Sequence, residues 1–223
     1  VWREYLKEET ARQCGGKNSV LSHPNIKEQD ARIESISFRD KRLGWKKYSF
    51  ALTLSVPNGH GAKNTVLLSE PLNKNIFMRG FLANLYLRPS CYACPTKSFK
   101  SRSDITIGDF WGVQNVIPEI DDDKGISVVM VSTEKGMDYI RMTELDIRVI
   151  GYELVLRYNP SIEKSVGLSE KRDHFYSNGT DKTLRKKINR LCQLTYRQRF
   201  RLMLSSILGM KMKNIIKKYC LNE

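Results

Sequence analysis

Between residues 48 and 56, Tyr48, Phe50, Leu52, Leu54 and Val56 alternate without a break with Ser49, Ala51, Thr53 and Ser55. A period of two sends successive side chains to opposite faces of a strand, so the stretch predicts one buried apolar face and one small or polar face. A single strand cannot bury a face; it needs paired neighbours and a layer packed over them. Residues 31–38 (ARIESISF) read as one neighbour, joined through the charged turn 39–45, and the two form an antiparallel pair. Pro57-Asn58-Gly59 turns the chain afterwards, and residues 65–69 offer a third strand.

The flanking sequence predicts helices. Trp2, Tyr5 and Leu6 share a face of a helix over 1–12, which Gly15-Gly16 ends. Residues 13–30 are polar and read as a loop. A second helix is predicted over 72–87, with Ile76, Phe77, Phe81, Leu82 and Leu85 on its apolar side, stopped by Arg88-Pro89-Ser90. Residues 91–112 read as loop-rich, and the Asp-rich stretch 118–125 as a surface loop. A buried strand over 126–132, a helix over 133–143 and a strand over 145–150 suggest an α/β layer. Helices are expected at 170–176 and 182–219, the latter broken near Gly209. The expected fold is α/β (α+β): a mixed sheet with flanking helices, residues 1–178, and a basic amphipathic helical tail, residues 179–223.

Composition narrows the class. The chain is 40% hydrophobic and 28% charged, as in folded globular proteins. No run reaches the roughly 18 apolar residues of a membrane-spanning helix. The start, Val1-Trp2-Arg3-Glu4, is amphipathic, unlike an export signal. Five cysteines, an odd number, argue against a disulfide framework and for a reducing, cytoplasmic setting. The net charge of +14 is concentrated in the tail, where residues 181–223 hold 12 Lys/Arg against 2 Asp/Glu. That weighs against nucleic-acid binding by the main domain. The tail pattern fits a helix docked on its own domain with a solvated basic face. The next reading is a helix that contacts a partner or lies on an anionic membrane surface at the inner membrane face.

The stretch from Arg88 to Gly112, RPSCYACPTKSFKSRSDITIGDFWG, carries the chemistry. Cys91 and Cys94, three apart on a turn, can put two thiolates on one metal or cluster, or can be two structural thiols. A zinc site needs four ligands, and no second pair at suitable spacing follows. Asp104 and Asp109 flank Ile105-Thr106-Ile107, with Gly108 and Gly112 around Phe110-Trp111. Such a loop can wall a planar ring, or its aromatic residues can anchor a core. His23, His60 and His174 form no hydrolase or metal pattern, and no G-x-G-x-x-G loop for a dinucleotide is present.

This motif resembles the signature of the C-terminal domain of the coenzyme F-420 hydrogenase/dehydrogenase beta-subunit family. FRDKRLGWKKYSFAL at 38–52, VWREYL at 1–6, Asn159-Pro160 and KRDHFY at 171–176 are also similar to bacterial members, so the resemblance covers residues 1–178. It implies an oxidoreductase with a 4Fe-4S cluster and a flavin (FAD or FMN), moving electrons from a ferredoxin-type domain or protein, with deazaflavin as a partner in methanogen members. Cys91 and Cys94 would then be cluster ligands. Ser103, Asp104, Thr106, Gly108, Asp109, Phe110 and Trp111 would lie beside the cofactors. The other ligands are expected upstream, in an N-terminal part that this chain lacks. The alternative is a non-catalytic interaction module of a membrane-linked surface-polysaccharide biosynthesis system; a small zinc-binding domain is a third reading.

Overall fold

The computed structural model describes residues 1–15, 31–57, 62–177 and 183–193. Its α+β class agrees with the sequence. The elements run α1 (Trp2–Gly15), β1 (Arg32–Asp40), β2 (Ser49–Pro57), β3 (Lys63–Pro71), α2 (Ile76–Leu82), α3 (Pro89–Tyr92), β4 (Ile105–Asp109), α4 (Val113–Val116), β5 (Ser127–Val131), α5 (Glu134–Arg141), α6 (Tyr152–Tyr158), α7 (Arg172–Tyr176) and α8 (Leu184–Leu191). Two 3-10 turns, Pro118–Ile120 and Pro160–Ile162, follow α4 and α6.

The strands divide into two antiparallel sheets, β1-β2-β3 and β4-β5, in place of one mixed sheet. β2 is the central strand, and its alternation sets the main core. Phe50, Leu52, Leu54 and Val56 are almost fully buried beneath α1, α2 and α8, together with Tyr5, Ile76, Met78, Leu85, Phe175, Leu184, Ile188 and Leu191. The opposite side of β2 carries the expected small residues, and Ser49, Ala51 and Ser55 are buried there too. A register shift in β1 between Ser37 and Asp40 re-aims two adjacent side chains. Phe38 joins the rings of Trp2, Phe50 and Phe77, with centroids 5.2–5.8 Å apart. Arg39 reaches Asp109 of the second sheet.

The second, smaller core holds Phe110, Val113, Val128 and Val155. Because the β4-β5 sheet is packed on one side only, its strands are half-exposed. Val128 is buried, whereas Ile107 and Val129, paired across the ladder, face outward. The 126–132 stretch is therefore a strand, but not a fully buried one. Residues 145–150 form no strand among the described residues, so the expected strand–helix–strand layer does not close. Leu145, Ile147 and Val149 keep the alternation yet find no sheet edge, and Val149 is 97% exposed.

α2 is shorter than its periodicity suggests. Asn75 caps its start, its side chain accepting the Met78 N–H at 3.0 Å, and Asn84 in the left-handed region (φ 57°) ends it. Phe81 and Leu82, placed by periodicity on the apolar side, are exposed. α8 lies beyond the expected boundary at 178, yet its apolar side fills the main core. Glu8 of α1 accepts the backbone N–H groups of Leu184 and Arg185 at its start. The rest of the predicted tail helix, from residue 194, lies outside the described residues, as do His23, His60 and Cys220.

Candidate functional site

Cys91 sits within α3, a single turn that Pro89 starts, and Cys94 follows it. Both thiols are partly buried and unbridged. The Cys94 backbone N–H donates to Ser165 Oγ at 3.0 Å, and its sulfur lies 3.2 Å from Thr96 Oγ1. Hydrogen bonding by the Thr96 hydroxyl, then by its backbone, holds the Cys94 thiol below its usual range. The loop beyond is fastened to the chain after α6. Lys97 Nζ donates to the Ser161 carbonyl, Ser98 N–H to the Ile162 carbonyl at 3.1 Å, and Ser98 Oγ to the Glu163 carbonyl at 3.4 Å. Three residues of this loop, Ser98, Phe99 and Arg102, hold positive φ of 53–60°. For a residue as bulky as Phe99 that is a strained backbone.

The 103–111 stretch leaves this loop as β4. The hydroxyls of Ser101, Ser103 and Thr106 form a chain, at 3.0 and 3.1 Å. Asp104 accepts the Thr133 hydroxyl at 2.6 Å, fixing the residue that caps α5, and that bond holds the Asp104 carboxyl below its usual range. Gly108 faces Val128, whose Cγ1 would lie 3.8 Å from an added Cβ. Asp109 pairs with Arg39, whose guanidinium also lies over the rings of Trp111 (4.9 Å) and Tyr48 (5.0 Å). Phe110 is 2% exposed and is an anchor of the small core. Trp111 stacks on the buried Trp45, with centroids 4.5 Å apart, and leaves an edge exposed.

One segment joins the two halves of the site. Asn159, 4% exposed, accepts the Trp111 N–H at 3.1 Å and donates to the Trp111 carbonyl at 3.2 Å. Further along the same segment, Ser165 holds Cys94. Residues 159–165 thus fix the cysteine turn and the aromatic turn to one piece of backbone. Sequence reasoning marks Asn159-Pro160 only as part of a resemblance, and misses Thr96 and Ser165. A buried Asn placed before a proline is the one available signal.

The KRDHFY run is structural. Lys171 donates to the Leu191 carbonyl at the end of α8, at 2.7 Å. Arg172 donates to the Leu85 and Leu87 carbonyls and to the Tyr92 hydroxyl. That last bond steadies the helical turn that bears Cys91.

The α+β chain thus carries two thiols at and just after one helical turn, tied to an acidic and aromatic loop. The profile of one family, the C terminus of the coenzyme F420 hydrogenase/dehydrogenase beta subunit, matches residues 4–149, and the chain belongs to that family. No curated protein and no solved structure matched the chain. Among the described residues no group of three or more His, Cys, Asp or Glu could hold a metal ion, and no helix is long and apolar enough to cross a membrane.

Proposed function

We propose that the chain serves in an iron–sulfur flavoprotein oxidoreductase, with Cys91 and Cys94 as two thiolate ligands of a 4Fe-4S cluster. The observation that carries this reading is the cysteine pair on one fastened turn, in a chain of this family. The donors fit in kind: soft sulfur ligands, with Cys94 favoured as thiolate by Thr96. They do not fit in number. The remaining ligands come from residues beyond those described. A bound cluster supplies one-electron transfer.

The chain's own part is to hold the ligands still and to bond their sulfur, which tunes both affinity and potential. A flavin, FAD or FMN, would be held by Ser103, Thr106, Gly108 and Trp111. Asp104, Asp109 and Phe110 support that stretch from the α5 cap, the Arg39 pair and the core. The donor is a ferredoxin-type protein or domain, and the acceptor a flavin or deazaflavin. The basic side chains of residues 179–223, whose helix α8 packs its apolar side into the main core, contact an anionic membrane surface from the cytoplasmic side.

The test is anaerobic purification and iron–sulfide reconstitution of the full-length protein and its variants. Cys91→Ser and Cys94→Ser should each lose cluster iron and visible absorption, whereas Cys192→Ser, at the end of α8, should keep both. Iron content unchanged in the first two variants would defeat the assignment. A second reading, a non-catalytic interaction module, draws on the exposed apolar side chains Leu145, Ile147 and Val149, a strand-like run that presents itself to a partner's sheet edge. It expects a colourless protein whose cellular role survives both cysteine substitutions.

A further inference from the structure

Large apolar side chains face solvent along the chain that leaves α5. Met142 is 81% exposed, Leu145 55%, Ile147 48% and Val149 97%. Single exposed apolar residues are ordinary, whereas a series of them marks a contact surface. Asp146 and Arg148 lie between the last three, and their side chains pair with each other. Side chains two residues apart share one side of an extended chain, so Leu145, Ile147 and Val149 share the other. The run has the form of a strand. Among the described residues, however, its backbone N–H groups from 146 to 150 donate to no backbone acceptor. Ile150 packs against the small core and pins the far end of the run.

About Ile147 the sequence is its own complement. Leu145 and Val149 are apolar, Asp146 is acidic and Arg148 is basic. When two copies lie antiparallel about a two-fold axis at Ile147, Asp146 of each faces Arg148 of the other. Leu145 then faces Val149, and the two Ile147 side chains face each other. Opposite charges and apolar pairs set directly across antiparallel strands stabilise the pairing. The same pattern disfavours other registers. A slip of two residues sets Asp146 against Asp146 or Arg148 against Arg148, according to its direction. A slip of one turns the apolar side of one copy toward the charged side of the other. Parallel pairing in register brings like charges side by side.

We propose that two copies of the chain associate through antiparallel pairing of residues 145–149, an isologous two-fold contact. Each internal Asp146–Arg148 pair is exchanged for pairs between copies, and the unmet N–H groups gain carbonyl partners. Backbone bonds supply the attraction and side chains the register, as in other strand additions. The contact is small, so the dimer is weak and depends on concentration. It uses neither the cysteine turn nor the aromatic loop, and stands whether or not a cluster binds there.

Sedimentation velocity of the whole chain, at micromolar to submillimolar concentration, reads the association. The parent should dimerise reversibly. Asp146→Arg and Arg148→Asp each make both cross-copy pairs repulsive, and each should weaken dimerisation by about tenfold or more. An equimolar mixture of the two variants should restore it, because one copy then carries cations at both positions and the other carboxylates at both. Asp138→Arg makes the same charge change as Asp146→Arg at an exposed position on α5, and should alter dimerisation by less than about threefold. Circular dichroism confirms that the variants fold. A parent that stays monomeric, a mixture that stays monomeric, or an Asp138→Arg loss equal to that of Asp146→Arg would each overturn the proposal. So would reversals that leave the dimer intact, which moves the contact to another surface such as the outer edge of β3.

Discussion

Two glycines of the motif do different work, and substitution separates them. Gly112 has φ 85°, and a Cβ there would meet Tyr158 atoms at 2.3–2.7 Å. Gly112→Ala should cost about 1–3 kcal/mol of stability, read as a lowered urea midpoint. Gly108 has ordinary backbone, and a Cβ would only touch Val128. Gly108→Ala should leave the urea midpoint within about 0.5–1 kcal/mol of the parent, the ordinary cost of a mild substitution. If it nevertheless abolishes flavin retention, close approach of a ligand is the reason for glycine there. Thiol chemistry gives a second test. Thr96 lowers the Cys94 thiol pKa, while burial raises that of Cys192. In metal-free protein, alkylation of Cys94 should set in at lower pH than a free thiol, and that of Cys192 at higher pH, both followed by mass spectrometry against pH. Thr96→Val should move the Cys94 profile upward. The sequence showed the cysteine pair because spacing along one turn is a local property. It did not show Thr96 and Ser165 as partners, because nothing in a serine at 165 announces a bond to a residue 71 positions away.

At the level of elements, α8 depends on an acceptor from another helix. Its first backbone N–H groups are met by the Glu8 carboxylate and by the Thr183 hydroxyl, which accepts the Lys186 N–H at 3.2 Å. Glu8→Ala should therefore destabilise the fold by roughly 1–2 kcal/mol, the usual worth of a helix cap, seen in thermal or urea unfolding. β2 was readable because its alternation survives burial on both sides, and the strands beside it inherit its register. α2 was overextended because periodicity carries no mark for where Asn75 and Asn84 cut it. Residues 145–150 have a strand's pattern without a strand's partner; pairing depends on an edge that only the fold can offer. Helix α6 was not legible at all, since Val155 and Asn159 show their common side only once the small core and the Trp111 turn exist.

The molecule as a whole is two cores joined by side chains. The large one rests on β2; the small one lies behind Phe110; Arg39–Asp109 and Trp45–Trp111 bridge them. Buried phenols in the large core set its alkaline limit. Burial raises Tyr5 to about 12 and also raises Tyr86. Both bind their protons more tightly folded than unfolded. Their contribution is whole below about pH 10, the unfolded value, and is lost as pH rises through the folded ones. Stability should decline above about pH 10, and Tyr5→Phe/Tyr86→Phe should shallow that decline in urea titrations compared with the parent.

The match to the family stops at 149, whereas the backbone that grips both the thiol turn and the indole begins at 159. A chain trimmed to the matched span would retain every sulfur and aromatic of the motif and lose its grip on them. The recognisable signature and the unit that holds its two turns together are different lengths of polypeptide, and excising the first would not deliver the second.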